Sequence, residues 1–188
     1  MDSFEIIKTE HFCFRLIEEK DYQLYYKLLL DEPEVQWIYR EDIGEKLKKD
    51  MLDSFMSFYW SPLIERKERE TYTIFLKDTT EFIGEISLYY NQYLRQEIGI
   101  SILNVFRGKG IGSAIIEEWT RWLAYNREIH QVDIHVDKEN IASRKCIKKL
   151  GADYICDDGD QYYRLDIPVI NKDSKLKNEE KEWIEKYM

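Results

Sequence analysis

The stretch EIGISILNVFRGKGIGSAIIEEWTRWLAYN, residues 97–126, decides the fold. Ile98, Ile100 and Ile102 alternate with Glu97, Gly99, Ser101 and Leu103, the period-two pattern of a strand with one apolar and one polar face. From Ile111 onward the period changes. Ile111, Ile115, Trp119, Trp122 and Leu123 recur at helical spacing, as a helix packed on a sheet requires. Between the two lie Gly108, Gly110 and Gly112. A backbone bare of Cβ atoms lets several N–H groups converge on one anion, and the start of the helix adds its positive dipole end. Arg107 and Lys109 bring charge to the same spot. The unit reads as strand, phosphate-cradling turn and helix, and it points to a pyrophosphate-bearing cofactor. The same glycines also serve a tight turn that holds no ligand.

Two familiar phosphate motifs are excluded. The spacing is not G-x-x-x-x-G-K-[ST], and no acidic residue ends a second parallel strand where a dinucleotide fold would need one. RGKGIG, from Arg107 to Gly112, followed by SAII, instead resembles the [RQ]-x-x-G-x-[GA] acyl-CoA signature of the GNAT acetyltransferases. Downstream, VDKENIASRKCIKKLGA, residues 136–152, resembles the N-x-x-[AS] helix ending in K-L-G that flanks the cofactor in that family. The resemblance spans roughly residues 12 to 168. It implies an α+β fold: a central, mostly antiparallel twisted sheet of six to seven strands, splayed at the cofactor site and flanked by about four helices.

The rest of the chain fits that plan. FCFRLI, residues 12–17, reads as a first strand, and Asp21 as the start of a helix carrying Leu24 and Leu28, ended by Pro33. Leu47, Met51, Phe55 and Phe58 predict a second helix within 42–59. Strands follow at about 71–77, 82–90 and 95–103, the first two joined by a hairpin-sized loop. After the long helix, HQVDIHV reads as a strand, 140–150 as a short helix stopped by Gly151, and ADYIC and QYYRLDIPV as a hairpin across the acidic turn DDGD. Residues 1–170 are expected to form one domain, with 171–188 a charged tail or terminal helix.

Composition limits the function classes. The chain has 188 residues, enough for one domain with a real core. No run of eighteen apolar residues exists, and the N-terminus MDSFEIIKTE lacks the basic and apolar regions of a signal peptide, so a soluble, cytoplasmic protein is expected. The net charge of −9 disfavours nucleic-acid or anionic-membrane binding and is compatible with a cationic substrate. Cys13, Cys146 and Cys156 form neither a disulfide framework nor a zinc knot. His130 and His135, five apart on a predicted strand, point to opposite faces, and no metal is expected.

The resemblance implies acetyl-CoA as co-substrate and transfer of its acetyl group to a primary amine. It assigns the pyrophosphate to the turn and helix start: Arg107, Gly108, Lys109, Gly110, Ile111, Gly112 and Ser113. It pairs the pantetheine arm with backbone at Ile100 and Ile102, and brings Asn140 and Ser143 to the cofactor. An alkylammonium titrates near about 10.4, so a base must remove its proton. Glu97 is the first candidate, Glu85 the second; either is also a plausible salt-bridged strand glutamate. Many members carry a tyrosine seven residues after the Asn140 position as general acid, and here that residue is Ile147. Tyr154, Tyr162, Tyr163 or a water stand as substitutes, and the alternative is that no acid is needed, because a thiolate is already a tolerable leaving group. The variant resembles the branch containing ribosomal-protein N-terminal and aminoglycoside 6′-N-acetyltransferases. Trp37, Tyr39 and Tyr59 are candidates to line the acceptor pocket, with packing in the core as the alternative. The expected acceptor is a small cationic amine such as an aminoglycoside or polyamine. A protein N-terminus is the rival, a non-catalytic acyl-CoA-binding module the other reading, and the protein is expected to be a monomer or homodimer.

Overall fold

Alternating β-branched and aromatic residues build eight strands in a single sheet, described by a computed structural model for residues 6–31, 49, 50, 53, 69–91 and 93–169. The strands are β1 (Ile7–Lys8), β2 (Phe12–Leu16), β3 (Arg69–Leu76), β4 (Phe82–Tyr90), β5 (Gln96–Ile102), β6 (Gln131–Val136), β7 (Asp153–Asp158) and β8 (Asp160–Asp166). Their spatial order is β1-β2-β3-β4-β5-β6-β8-β7. All neighbours are antiparallel except β5 and β6. Among the described residues the α-helices are α1 (Tyr22–Leu30), α2 (Ile111–Arg127) and α3 (Ile141–Lys149).

The mostly antiparallel sheet agrees with expectation; the two-residue β1, too short to show alternation, adds an eighth strand. The acidic hairpin turn is tighter than DDGD suggests. Asp158 and Asp160 pair across it, leaving Gly159 alone at the corner, with φ +81°. Of the predicted second helix only 49, 50 and 53 are described, all helical. Trp37, Tyr39, Tyr59 and the 171–188 tail lie outside the described residues.

The register sorts the side chains onto two contrasting faces. On one, Phe14, Tyr72, Ile74, Ile86, Ile98, Val132, Ile134 and Tyr163 meet the buried stripe of α2, Ile115, Trp119 and Leu123. Trp119 is fully buried; its ring centroid lies 5.0 Å from that of Phe14 and 4.7 Å from that of Tyr72, and it stacks on Trp122. Burying aromatics of this size supplies much of the driving force for folding. The opposite face is polar yet also buried: Thr71 and Thr73 on β3, Glu85 and Ser87 on β4, Glu97 on β5 and Asp133 on β6. Buried polar groups need partners, and several find them on other strands of the sheet. Thr71 shares a hydroxyl hydrogen bond with Ser87 at 2.9 Å, Thr73 donates to the Arg15 carbonyl, and Arg164 pairs with Asp133.

Candidate active site

Peptide groups along a strand face its two neighbours alternately. The Leu103 N–H donates to the Ile83 carbonyl at 2.8 Å, which turns the peptide groups of Ile102, Ile100 and Ile98 away from β4 and toward β6. Yet β5 and β6 share a single register pair, Glu97 with Asp133, while β5 pairs with β4 all the way to Ile102. The sheet therefore opens above Glu97 and Asp133, leaving the backbone of Ile100 and Ile102 along one wall of a wedge. An extended arm laid in that wedge would gain hydrogen bonds as an added strand does.

The glycine turn closes the wide end of the wedge. After a 3₁₀ turn at Asn104–Phe106, Gly108 and Gly110 take φ of +73° and +82°. Neither has any atom near where a Cβ would stand, so it is the left-handed backbone, not crowding, that asks for glycine. Gly112 meets only the Ile102 methyl at 3.7 Å. Among the described residues no N–H from Gly108 to Ser113 donates to a protein acceptor. The first bond of α2 runs from the Ala114 N–H to the Gly110 carbonyl. No acidic residue stands in the first turn of α2, and Gly110 offers no capping side chain. These N–H groups and the exposed Lys109 thus form an anion cradle in which the helix dipole adds to the field. The Arg107 guanidinium is anchored beside it, its Nε donating to the Ile102 carbonyl at 2.9 Å. Ile111 is half-buried against the core.

α3 packs against the start of α2. Ser113 Oγ lies 3.1 Å from Cys146 Sγ, tying α2 to α3. Asn140 caps α3, its Oδ1 accepting the Ser143 N–H at 3.0 Å. An Asn140→Ala variant should lose about 1 kcal/mol of stability. In thermal denaturation this is a fall of roughly 2–4 °C for a chain of this length.

At the narrow end stands Glu97, 3 % exposed, its Oε1 accepting the Tyr89 hydroxyl at 2.7 Å. Burial and the Glu97 charge push the Tyr89 phenol well above its ordinary range, so it remains a donor. The Arg69 guanidinium covers the Tyr89 ring. Glu85 shares the polar face, but its register partner is Ser101, four residues along β5 from Glu97. The two carboxylates are thus separated by about 13 Å of strand and belong to different parts of the face. A cavity of about 340 Å³ behind Tyr89, lined by Leu88, Tyr90, Gln96, Glu70, Arg127 and Ile129, lies at the end of β4 away from the glycine turn.

A further titratable cluster escaped the sequence reading. Glu10, His11 and Glu118 place ligand atoms within 4.8 Å of one another. The contacts are those of a hydrogen-bonded brace: Glu118 takes the Thr9 hydroxyl and the His11 N–H, and the His11 ring at 2.6 Å. His11 and Glu118 are 107 residues apart, and nothing local to either marks the pairing. The three cysteines are free thiols.

The family model for the acetyltransferase (GNAT) domain matches residues 11–153. The chain belongs to the GNAT acetyltransferase family. It is an acetyltransferase by that membership, and its mixed α+β sheet is the GNAT fold. A search of curated protein sequences found no match. Among solved structures, the ribosomal α-N-protein acetyltransferase RimL in complex with coenzyme A is 17 % identical with a TM-score of 0.66, covering 88 % of this chain and 100 % of that one. FdhC, a nucleotide-linked sugar GNAT, is 19 % identical with a TM-score of 0.64, covering 87 % and 90 %. A SpeG spermidine N-acetyltransferase chimera from Vibrio cholerae and hSSAT is 16 % identical with a TM-score of 0.60, covering 84 % and 96 %. At such identities the likeness is one of fold. Among the described residues of this GNAT protein no helix is long and apolar enough to cross a membrane.

Proposed function

We propose that this GNAT protein transfers the acetyl group of acetyl-CoA to a primary amine, with a small cationic acceptor such as an aminoglycoside or polyamine. The observation that carries this reading is the wedge between β5 and β6. It runs from six N–H groups that find no protein acceptor among the described residues to a buried carboxylate. In this reading the N–H groups of Gly108 to Ser113 hold the pyrophosphate, with Arg107 and Lys109 supplying charge, and Asn140 and Ser143 flank it. The peptide groups of Ile100 and Ile102 hold the pantetheine arm, which brings the thioester to the narrow end. An N–H of the same strand polarises its carbonyl, and Glu97 takes the ammonium proton directly or through water.

The acidic net charge and the acidic β7–β8 hairpin support a cationic acceptor, since a field of that sign raises the local concentration of cations. The fold likeness to RimL keeps a protein N-terminus as the second reading. We take residues 1–170 as the catalytic domain. Following thiol release from acetyl-CoA with spermidine, kanamycin and a serine-terminated peptide tests both. Release with the first two supports the proposed class, and release with the peptide alone replaces it by the second. Release with none, in a protein that binds acetyl-CoA, leaves an acyl-CoA-binding module.

A further inference from the structure

A departing thiolate gains from a proton donor, and Ile147, where the family resemblance looks for a tyrosine, is apolar and buried in the core. The strand register separates the three tyrosines of the β7–β8 hairpin. Tyr163 lies on the apolar face, 1 % exposed, its hydroxyl donating to Gln161 Oε1. Tyr154 packs edge-on against Tyr163 and so shares that face, on the outermost strand. Tyr162 points the other way. It is opposite His135, two residues along β6 from Asp133, and therefore on the face that carries Glu97.

Polar rings and carboxylates share that face. Tyr89 has committed its proton to Glu97. The Tyr162 hydroxyl makes no hydrogen bond among the described residues, while the charge of Glu97 acts on it. Its ring is held flat on His135, centroids 4.5 Å apart and planes within 7°, and His135 Nε2 is in turn 2.9 Å from Asp160 Oδ2. Burial first, and then the charges of Glu97 and Asp158, raise the Tyr162 phenol above its ordinary value, so its proton stays on through neutral pH.

We propose that Tyr162 is the proton donor to the thiolate that leaves acetyl-CoA, an assignment that rests on the acetyl-transfer reading above. The protons balance as follows. Glu97 takes the first proton of the ammonium and later returns it to water. The neutral nitrogen attacks the thioester carbonyl, forming the C–N bond. As the C–S bond breaks, the Tyr162 O–H passes its proton to sulfur. The phenolate then takes the second proton from the still cationic nitrogen, directly or through one water, and both residues end as they began. The products are the acetamide, free thiol and one proton to solvent. No further reactant enters.

Tyr162→Phe keeps the ring on His135 and removes only the hydroxyl. With acetyl-CoA and the most active amine among spermidine, kanamycin and a serine-terminated peptide, kcat should fall about 10- to 100-fold, the modest end of acid–base catalysis because a thiolate already leaves readily. The KM for acetyl-CoA and the melting temperature should stay as in the parent protein. The alkaline limb of the kcat profile should disappear, a change that a purely structural role would not cause. A Tyr162→Phe variant within two-fold of the parent kcat would overturn the assignment while leaving acetyl transfer standing. A parent protein that releases no thiol with any of the amines would overturn the acetyl-transfer reading, and the role of Tyr162 with it.

Discussion

Glu97→Gln should lose about 10²- to 10³-fold in kcat while binding acetyl-CoA as tightly as the parent protein. The amide is nearly isosteric with the carboxylate, and its oxygen still accepts the Tyr89 hydroxyl that Glu97 Oε1 accepts now at 2.7 Å. Packing at this buried position is therefore kept, and the proton acceptor alone is removed. An amine that titrates near about 10.4 arrives protonated, so without a base the fraction ready to attack is small at neutral pH. The loss should shrink as the pH is raised toward the amine's own range, since solvent then does the work of Glu97. Glu85→Gln is the matched comparison. Glu85 lies beside Ser101, not beside the β5–β6 junction, and a change at that distance should alter kcat less than about three-fold. Steady-state kinetics of the two variants, with calorimetry for the donor, checks both.

Gly84→Ala is expected to be the most damaging small substitution in the sheet. A Cβ on Gly84 would stand 2.0 Å from the Ser101 carbonyl oxygen and 2.8 Å from the Ile102 Cα. These are backbone atoms of the neighbouring strand, so no side chain can swing aside. β4 and β5 would have to part just where β5 offers its other edge to the wedge. Overpacking of this kind costs about 3 kcal/mol, or roughly 6–12 °C in melting temperature for a chain of this size. Affinity for acetyl-CoA should fall with it. Gly99→Ala, on the same strand pair, meets only the Tyr89 ring at 3.7 Å and should be close to neutral. Thermal denaturation of the two side by side separates a backbone clash from a general intolerance of alanine.

Gly84 also shows where reading the sequence stops. Gly108 and Gly110 are legible because the left-handed turn they make is local and sits between two clear periodicities. The need for Gly84 arises only when β4 meets β5, and FIGEISLYY reads as a strand with or without it. The polar face of β5 is likewise visible in the alternation of Glu97, Gly99 and Ser101. That Glu97 stands at the junction of the two halves of the sheet, and Glu85 does not, follows from the register. Tyr162 and Tyr163 are adjacent in sequence and equivalent by composition; the β6–β8 register, which sets Tyr162 opposite His135 and Tyr163 opposite Ile134, decides which faces the carboxylate. Arg107 reads as a bare cation before the turn, and its bond to the Ile102 carbonyl comes from the chain doubling back on β5. The Thr9, His11 and Glu118 brace joins segments too far apart for any periodicity to report.

The most direct test of the site is to follow the backbone amide resonances of the ¹⁵N-labelled protein as coenzyme A is added. Large shifts at Gly108 to Ser113 and at Ile100 and Ile102, with Gly159 and the exposed β7 unmoved, are the result the wedge and its glycine cradle predict. Binding that leaves those amides in place and moves instead the ones around the Tyr89, Gln96 and Arg127 cavity would contradict it.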